Sequence, residues 1–163
     1  MMFDWDSTIT IISGGQTGVD IAALKAARKA GLLTGGFAPK GWKTLDGPNP
    51  LLRDFGMIEC HSDYYAERTE QNVKAADLTI RIARYFDSSG EKCTYNAIVK
   101  HKKPRIDIIE DSLTDENLEY YENLISAAGP SIINIAGNSE KTAPGIGVKA
   151  EAWLKKLFIR LKK

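Results

Sequence analysis

The feature that most constrains this chain is an apolar, β-branched segment, Thr8–Ile12, that runs directly into a glycine-rich turn, Ser13–Gly18. An alanine-rich helix over Val19–Ala30 is predicted to follow the turn. A strand, a glycine turn and a helix in this order bring free backbone N–H groups and the positive end of the helix dipole together. The segment therefore predicts a site for an anion, such as a phosphate group, after the first strand.

The turn itself, Gly14-Gly15-Gln16-Thr17-Gly18, has neither the G-x-G-x-x-G spacing of dinucleotide-binding folds nor the G-K-[ST] ending of a P-loop. Its glycines allow the backbone to approach a phosphate closely, and Ser13, Gln16 and Thr17 add side-chain donors. The alternative is a tight connection between strand and helix. Three glycines and three polar side chains exceed what a connection needs, so the pattern favours a ligand-binding loop.

Apolar strands and amphipathic helices alternate along the rest of the chain, and the strands are almost continuously apolar, as is typical of a parallel sheet covered on both faces. We therefore predict one domain over residues 1–163, an α/β, Rossmann-like, doubly wound three-layer sandwich with a mainly parallel sheet. The predicted strands are Thr8–Ile12, Leu33–Phe37, Met57–Cys60, Leu78–Ala83, Arg105–Ile109 and Ser131–Ile135. The predicted helices are Val19–Ala30, Tyr64–Ala75, Glu91–Lys102, one N-capped by Thr114, and a last one that buries Ala150, Leu154, Leu157 and Leu161.

Three polar loops follow predicted strands: Ser13–Gly18, Tyr85–Gly90 and Ala136–Gly145. Because ligands of such sheets bind beyond the carboxyl ends of the strands, we expect these loops to meet at one edge and form the site. A further polar stretch, from Ala38 to about Phe55, has no predicted regular structure. An irregular loop of this length inside a domain is usually functional.

The bulk composition excludes several classes of partner. With 22 basic and 21 acidic residues among 163, the formal net charge is +1, so no overall field attracts nucleic acid or an anionic membrane. Two cysteines, Cys60 and Cys93, are too few for a disulfide framework. Residues 1–6 lack the apolar region of a signal peptide, and no apolar run reaches the length of a membrane span. We expect a cytoplasmic protein.

Motifs along most of the chain carry a resemblance to a known family. They are Ser13–Leu24, Gly35–Gly41, Asp46–Pro48, Tyr65–Val73, Ser89–Thr94, Asn134–Gly137 and Ala143–Ile146. From about Ile9 to Val148 the chain resembles the molybdenum cofactor carrier family, whose Rossmann-like superfamily includes the lysine-decarboxylase-like phosphoribohydrolases that activate cytokinins. The resemblance implies a cytoplasmic homo-oligomer, a dimer or tetramer, that binds molybdenum cofactor, a phosphorylated pterin.

The long polar stretch holds a candidate phosphate contact. Lys40 lies between a proline and Gly41 and could neutralise a phosphate, and Trp42 could stack on a pterin or purine ring. The alternative is a solvated lysine and a tryptophan that anchors the loop. Arg53 is a weaker candidate of the same kind.

A second group of candidates lies on the predicted helix Tyr64–Ala75. Arg68 and Asn72 are four residues apart and share a helix face, with Thr69 beside them. Such a pair could grip a phosphate, since arginine offers a planar fork of donors. A solvated surface is the usual alternative, and the resemblance favours the binding role.

The loop after the fourth predicted strand offers a second anion site. Ser88 or Ser89 can cap the following helix, whose open N–H groups, with Gly90, could bind phosphate. In the phosphoribohydrolases the corresponding motif ends in a catalytic glutamate, and Thr94 occupies that position here. A threonine cannot act as a carboxylate base, so binding is favoured over N-glycosidic hydrolysis. The resemblance adds the pair Pro144-Gly145 to the binding residues.

Two carboxylates remain weak candidates for acid–base catalysis, Asp20 and Glu91. Asp20 lies in the first turn of the predicted helix and is expected to cap it together with Thr17, as in a T-x-x-D box. No metal site built from side chains is expected, because Cys60 and His61 point to opposite faces of a strand and no zinc-type spacing occurs.

Two other side chains have an expected structural role. Cys93, near a helix N-terminus, is predicted to be a buried thiol, although its thiolate could contact a ligand. His101 is predicted to pack within its helix.

Three functional hypotheses follow from the sequence. The first is a binding or carrier protein for a phosphorylated pterin such as molybdenum cofactor, with the glycine loop and Ser89-Gly90 around the phosphate. The second is an enzyme acting on a nucleotide or nucleotide-derived ligand, and the third is a nucleotide-binding sensor that would share the pocket. Only an enzyme needs a carboxylate within hydrogen-bond reach of a labile bond.

Overall fold

The fold was analysed in a computed structural model, which describes residues 8–162, so residues 1–6, expected to lack a signal peptide, lie outside the described part. Six parallel strands form one sheet in the order β3-β2-β1-β6-β4-β5, which confirms the predicted fold class. The strands are β1 (Thr10–Ile12), β2 (Leu33–Ala38), β3 (Met57–Glu59), β4 (Leu78–Ala83), β5 (Arg105–Ile109) and β6 (Ile132–Gly137). The helices are α1 (Val19–Ala30), α2 (Tyr65–Ala75), α3 (Ser89–Lys100), α4 (Leu118–Ala128) and α5 (Ile146–Leu161).

The two faces of the sheet differ in polarity. On one face, strand side chains such as Ile11, Ile80 and Ile135 pack with α1, α4 and α5 in the main hydrophobic core. Side chains alternate between faces along a strand, so Arg81 in β4 and Asn134 in β6 lie on the opposite face, towards α2 and α3. This second face therefore carries buried polar groups.

Local capping explains where the helices begin and end. Helix α1 ends at Gly31 in the left-handed conformation, whose N–H bonds to carbonyl oxygens of the last turn. Helix α3 begins earlier than the predicted Glu91, because Ser88 caps it by accepting a hydrogen bond from the Glu91 N–H, as predicted. The predicted side-chain cap at Thr114 is wrong, because a 3₁₀ turn separates this residue from α4 and its side chain makes no capping bond.

The long polar stretch is more ordered than its composition suggests. It contains two 3₁₀ turns, Lys40–Trp42 and Pro50–Phe55. From the second turn, Leu52 and Phe55 are buried in a small core cluster with residues of α1, β2 and β3, and Trp42 packs against this cluster. Among residues 8–162, no helix is long and apolar enough to cross a membrane.

The three loops that were predicted to meet do so around one buried residue, Asn138, in the loop after β6. Its amide oxygen accepts hydrogen bonds from the N–H groups of Arg84 (2.8 Å) and Tyr85 (3.0 Å), in the loop after β4. Its backbone carbonyl accepts the N–H of Val19, at the start of α1. The convergence of parallel strands thus places all three loops at one edge of the sheet.

Candidate functional site

The glycine loop, Ser13–Gly18, lies mostly beneath the surface, with only Thr17 half-buried. Its N–H groups bond to acceptors of the chain itself. Gly15 N donates to Ser13 Oγ (3.3 Å), Gln16 N to Asp20 Oδ2 (3.3 Å) and Thr17 N to Gln16 Oε1 (2.9 Å). The loop is therefore stabilised from within by side-chain oxygens.

Asp20 has a different role from the predicted one. Its carboxylate, 2% exposed, points under the glycine loop and accepts hydrogen bonds from Gln16 N and from Arg68 Nη1 (3.2 Å). Thr17 Oγ1 instead accepts the N–H of Glu140 (3.3 Å), and the N-cap position of α1 is Gly18, without a side-chain cap. The predicted capping box of Thr17 and Asp20 is wrong, because Arg68 and the glycine loop engage the carboxylate.

Two buried carboxylates have strongly altered acidity. Burial raises the pKa of Asp20 to about 6, opposed chiefly by the positive charge of Arg68. Burial raises the pKa of Glu91, also 2% exposed, to about 7, although Arg81 Nη1 lies 3.8 Å from its Oε2. The negative charge of Asp20 adds to the rise at Glu91. Arg81 itself is held mainly by two short hydrogen bonds to Asp107, of 2.8 Å and 2.7 Å.

The predicted helix pair, Arg68 and Asn72, does not form one free surface. The Arg68 guanidinium lies against the backbone of Gly14, where a Cβ atom would be 2.7 Å from its Cζ. The amide of Asn72 bonds to Phe37 N (2.9 Å) and Phe37 O (3.0 Å), so it attaches α2 to β2. Both side chains are thus engaged with the chain itself.

A small space remains beneath the glycine loop, and we call it the inner cavity. Its volume is about 10 Å³, close to what a single water needs. The buried Nε of Arg68, which lines this cavity, has no hydrogen-bond partner among the described residues, and neither has the buried Oε2 of Glu91 in α3. The inner cavity is lined by Gly14, Arg68, Thr69, Asn72, Thr94, Asn134 and Ala136.

A much larger space lies on the other side of the glycine loop, and we call it the outer cleft. Its volume is about 480 Å³, and it separates the glycine loop and α1 from the start of α5 and the segment 44–49. Of the predicted binding residues, Gly15, Thr17 and Gly18 line it. The full lining is Gly15, Thr17, Gly18, Ile21, Ala22, Lys25, Thr44, Asp46, Gly47, Pro48, Asn49, Glu140, Gly147, Val148 and Glu151.

Two of the four charged side chains that line the outer cleft, Glu140 and Glu151, are already engaged. Glu140 accepts hydrogen bonds from Gly145 N (3.0 Å) and Gly147 N (2.9 Å) at the start of α5. Its carboxylate therefore occupies the anion position that this helix N-terminus provides. Glu151 pairs with Lys29 at 2.8 Å.

The segment 44–49 forms one side of the outer cleft, and we call it the cleft wall. Gln16 Oε1, which bonds to Thr17 N, also accepts the N–H of Leu45 (2.9 Å). The wall starts after two residues with positive φ, Gly41 (78°) and Trp42 (57°). The second value is unusual for a bulky side chain and costs backbone energy.

The remaining predicted residues lie outside both spaces, apart from Thr94 in the inner cavity. Lys40 is exposed at the base of the cleft wall, and Gly41 N donates to Glu59 Oε2 (2.6 Å). Ser88, Ser89 and Gly90 form the start of α3, and the carbonyl of Pro144 accepts from Arg84 Nη2 (2.9 Å). Arg53 is exposed on the second 3₁₀ turn.

The cysteine and histidine expectations have mixed outcomes. Cys60 is buried, and Cys93 is half-buried rather than fully buried. His101, predicted to pack within its own helix, ends α3 and lies 3.0 Å from Glu70 of α2. Within residues 8–162, no three His, Cys, Asp or Glu side chains lie close enough to hold a metal ion.

Several residues that shape the site were not identified from the sequence. Asn138 joins the three loops and Glu140 caps α5, but both lie in a loop without a recognisable pattern. Lys25 provides the amine that lines the outer cleft, but in the sequence it cannot be distinguished from an ordinary surface lysine on an alanine-rich helix. Asp46 was noted only within a motif of the resemblance, and that motif was the available signal for the cleft wall.

Comparison with known proteins supports the fold and identifies the family of the chain. The structure is similar to a crystal structure of a protein named "Putative molybdenum carrier protein" from Syntrophus aciditrophicus SB, with a TM-score of 0.81 and 32% sequence identity. The similarity covers 93% of this chain and 96% of that chain. No curated protein matches the sequence. A family model matches residues 11–158, and the chain therefore belongs to the circularly permutated YpsA SLOG family.

Proposed function

We propose that this protein binds and carries a phosphorylated pterin, the chemical class of molybdenum cofactor, in the outer cleft. The observation that carries the proposal is the cleft itself, about 480 Å³ at the loop edge of the sheet and against the glycine loop. Small-molecule sites are typically of this volume, and ligands of doubly wound sheets bind at this edge. The name of the similar protein from Syntrophus supports a carrier role.

The lining of the outer cleft suits a ligand with a flat ring and a polar end. Ile21, Pro48 and Val148 offer apolar surface, while Thr17 and Lys25 offer a hydroxyl and an amine. A carrier must shield its ligand and release it unchanged. Such a role requires a cleft with complementary groups, and it does not require an acid–base catalyst.

The alternative is an enzyme or sensor that acts on a nucleotide or nucleotide-derived ligand. It is favoured by Asp20 and Glu91, because carboxylates with pKa values raised towards neutrality often serve in acid–base catalysis. Neither residue lines the outer cleft, and both are buried. We therefore favour the carrier role.

The cytoplasmic location and the homo-oligomer, a dimer or tetramer, are further parts of the proposal. They rest on the resemblance of the sequence motifs to the carrier family. Light scattering at micromolar concentration is expected to give a mass of two or four chains, against 18.0 kDa for one chain. A monomer would contradict this part alone.

The main test is to identify what the protein binds. Ligand released from the purified protein should give an oxidised pterin by mass spectrometry, with stoichiometric molybdenum by metal analysis. In parallel, a pterin monophosphate should bind in a titration. A nucleotide without molybdenum would instead support the alternative function.

A matched pair of variants locates the binding site. Val148→Trp places a large ring in the outer cleft at a residue that is 82% exposed, so binding of the pterin monophosphate should fall at least tenfold, about 1.4 kcal/mol, with little change in stability. The control is Val99→Trp, at a 56% exposed position on α3 that does not line the cleft. Equal affinity in the two variants would place the ligand elsewhere.

A further inference from the structure

Two charged side chains of the outer cleft are left without a partner among the described residues, Lys25 and Asp46. Lys25 lies on α1, one turn after Ile21, and Asp46 lies on the cleft wall. Neither takes part in an ion pair, whereas Glu140 caps α5 and Glu151 pairs with a lysine. The cleft thus offers a ligand one free amine and one free carboxylate, on different walls.

The backbone that carries Asp46 is held in a defined turn. Asp46 N donates to Thr44 Oγ1 (3.1 Å), and Thr44 and Gly47 exchange two backbone hydrogen bonds of 3.1 Å. The preceding residue, Leu45, is bonded through its N–H to Gln16 of the glycine loop. Although the Asp46 side chain is exposed, the backbone that carries it is fixed relative to the glycine loop and to α1.

A carboxylate recognises one kind of ring edge especially well. Its two oxygens accept two parallel N–H bonds, and charge-assisted pairs of this kind are strong and directional. A 2-amino-4-oxopyrimidine edge, shared by pterins and guanine, presents such a pair from its ring N–H and its amino group. Hypoxanthine lacks the amino group, and adenine has an unprotonated ring nitrogen in place of the N–H.

We propose that Asp46 binds the 2-amino-4-oxopyrimidine edge of the ligand while Lys25 binds its phosphate. This inference rests on the proposed function, which it narrows to phosphorylated rings with that edge. The shared chemistry includes pterin phosphates and guanine nucleotides. The two ends of such a ligand match the two unpaired charges of the outer cleft.

The test is calorimetric titration of the full chain with a pterin monophosphate, GMP, IMP and AMP. We expect GMP to bind about tenfold more tightly than IMP and more tightly still than AMP, because each replacement removes a hydrogen bond to a carboxylate. Tighter binding of the pterin monophosphate than of GMP would identify pterin as the physiological ring. The reverse order would identify guanine, and either order fits the proposed recognition.

Variants then assign the two ends. Asp46→Asn should bring the GMP and IMP affinities within about twofold of each other, because an amide has one acceptor oxygen and one donor nitrogen. Lys25→Met should weaken GMP about tenfold and leave guanosine unchanged, because only GMP carries the phosphate. The controls are Asp63→Asn and Lys74→Met, at exposed positions outside the cleft, which should match the unmodified protein.

The outcomes separate the two proposals. If the pterin monophosphate binds but GMP and IMP bind equally, or if Asp46→Asn retains their ratio, the recognition pair is wrong and the carrier function stands. If none of the four phosphorylated compounds binds, the carrier function and the recognition pair both fail.

Discussion

The inner cavity and the outer cleft lie on opposite sides of the same glycine loop, and they use it differently. On the inner side, Asp20 and Arg68 form a buried ion pair that engages the loop, and the free volume is about that of one water. On the outer side, the charged groups reach solvent and the free volume is about 480 Å³. The same short sequence therefore lies between a sealed polar interior and an open cleft.

The comparison shows that a glycine loop can stabilise an anion that belongs to the chain itself. The Asp20 carboxylate accepts hydrogen bonds from Gln16 N and from the Arg68 guanidinium, in the way that a glycine loop of this kind binds a phosphate in other proteins. Under the proposed function, a ligand in the outer cleft is then recognised largely by side chains of α1, α5 and the cleft wall. Variants at Arg68, Glu91 and Gly14 test the stability of the inner side, and a variant at Gln16 tests the bond between the glycine loop and the cleft wall.

The largest effect is expected from Arg68→Met. This change leaves the Asp20 carboxylate buried without its counter-charge, and the removal of one member of a buried pair typically costs about 3–5 kcal/mol. Chemical denaturation at neutral pH measures this loss. A loss below about 1 kcal/mol would show that the ion pair contributes little to the fold.

The control for Arg68→Met is Arg53→Met, because Arg53 is exposed and lines neither space. It should change the free energy of unfolding by no more than about 0.5 kcal/mol.

The next effect is the pH dependence of stability that arises from Glu91. Because its pKa is raised from 4.5 to about 7 in the folded protein, the folded state retains a proton that the unfolded state releases between these values. The free energy of unfolding should therefore fall as pH rises from about 4.5 to 7.5, by about 3 kcal/mol from this residue. Asp20 contributes with the same sign between about pH 4 and 6.

Glu91→Gln isolates this contribution. Arg81 keeps its two bonds to Asp107 in the variant, so no buried cation loses all its partners. The free energy of unfolding, taken from denaturation curves at several pH values in this range, should change less steeply with pH in the variant than in the unmodified protein. Equal slopes would mean that Glu91 titrates as an exposed carboxylate. The lowered pKa values of Glu70 and Glu110 act with the opposite sign, as pH falls below their unfolded-state values.

A smaller effect is expected from Gly14→Ala. The added methyl group would overlap the Arg68 guanidinium, which must move and weaken its bond to Asp20, at a cost of about 2 kcal/mol. The control is Gly90→Ala, where a Cβ atom meets nothing within 4 Å and the residue lies in the first turn of α3. If neither change lowers the melting temperature, the position of the Arg68 guanidinium does not require the absence of a side chain at Gly14.

Much of the fold could be predicted from local patterns. The predicted bounds of α1, β4 and β5 agree with the structure, because periodic apolar residues and the stop at Gly31 are local signals. The burial of the glycine loop could not be predicted. It depends on Arg68, which is 48 residues from Asp20 in the sequence and approaches it only when α2 packs beside the loop.

The candidate site could be predicted only where it depends on a local pattern. The pattern of glycines identified the loop, and Gly15, Thr17 and Gly18 do line the outer cleft. The opposite wall comes from the segment 44–49 and the start of α5, which no local pattern connects to the loop. The hydrogen bond from Leu45 to Gln16 makes this connection across 29 residues.

The Gln16 side chain links the glycine loop to the cleft wall, and Gln16→Leu should give the smallest and most selective effect. The substitution removes the acceptor for Thr17 N and Leu45 N, which can turn partly to water, so the stability loss should be about 1 kcal/mol. The cleft wall loses its bond to the glycine loop, so affinity for the pterin monophosphate should fall about tenfold. Titration and denaturation of one sample separate these effects. A stability loss without a change in affinity would show that the wall is held by the packing of Trp42, and that ligand binding does not depend on the bond between Gln16 and Leu45.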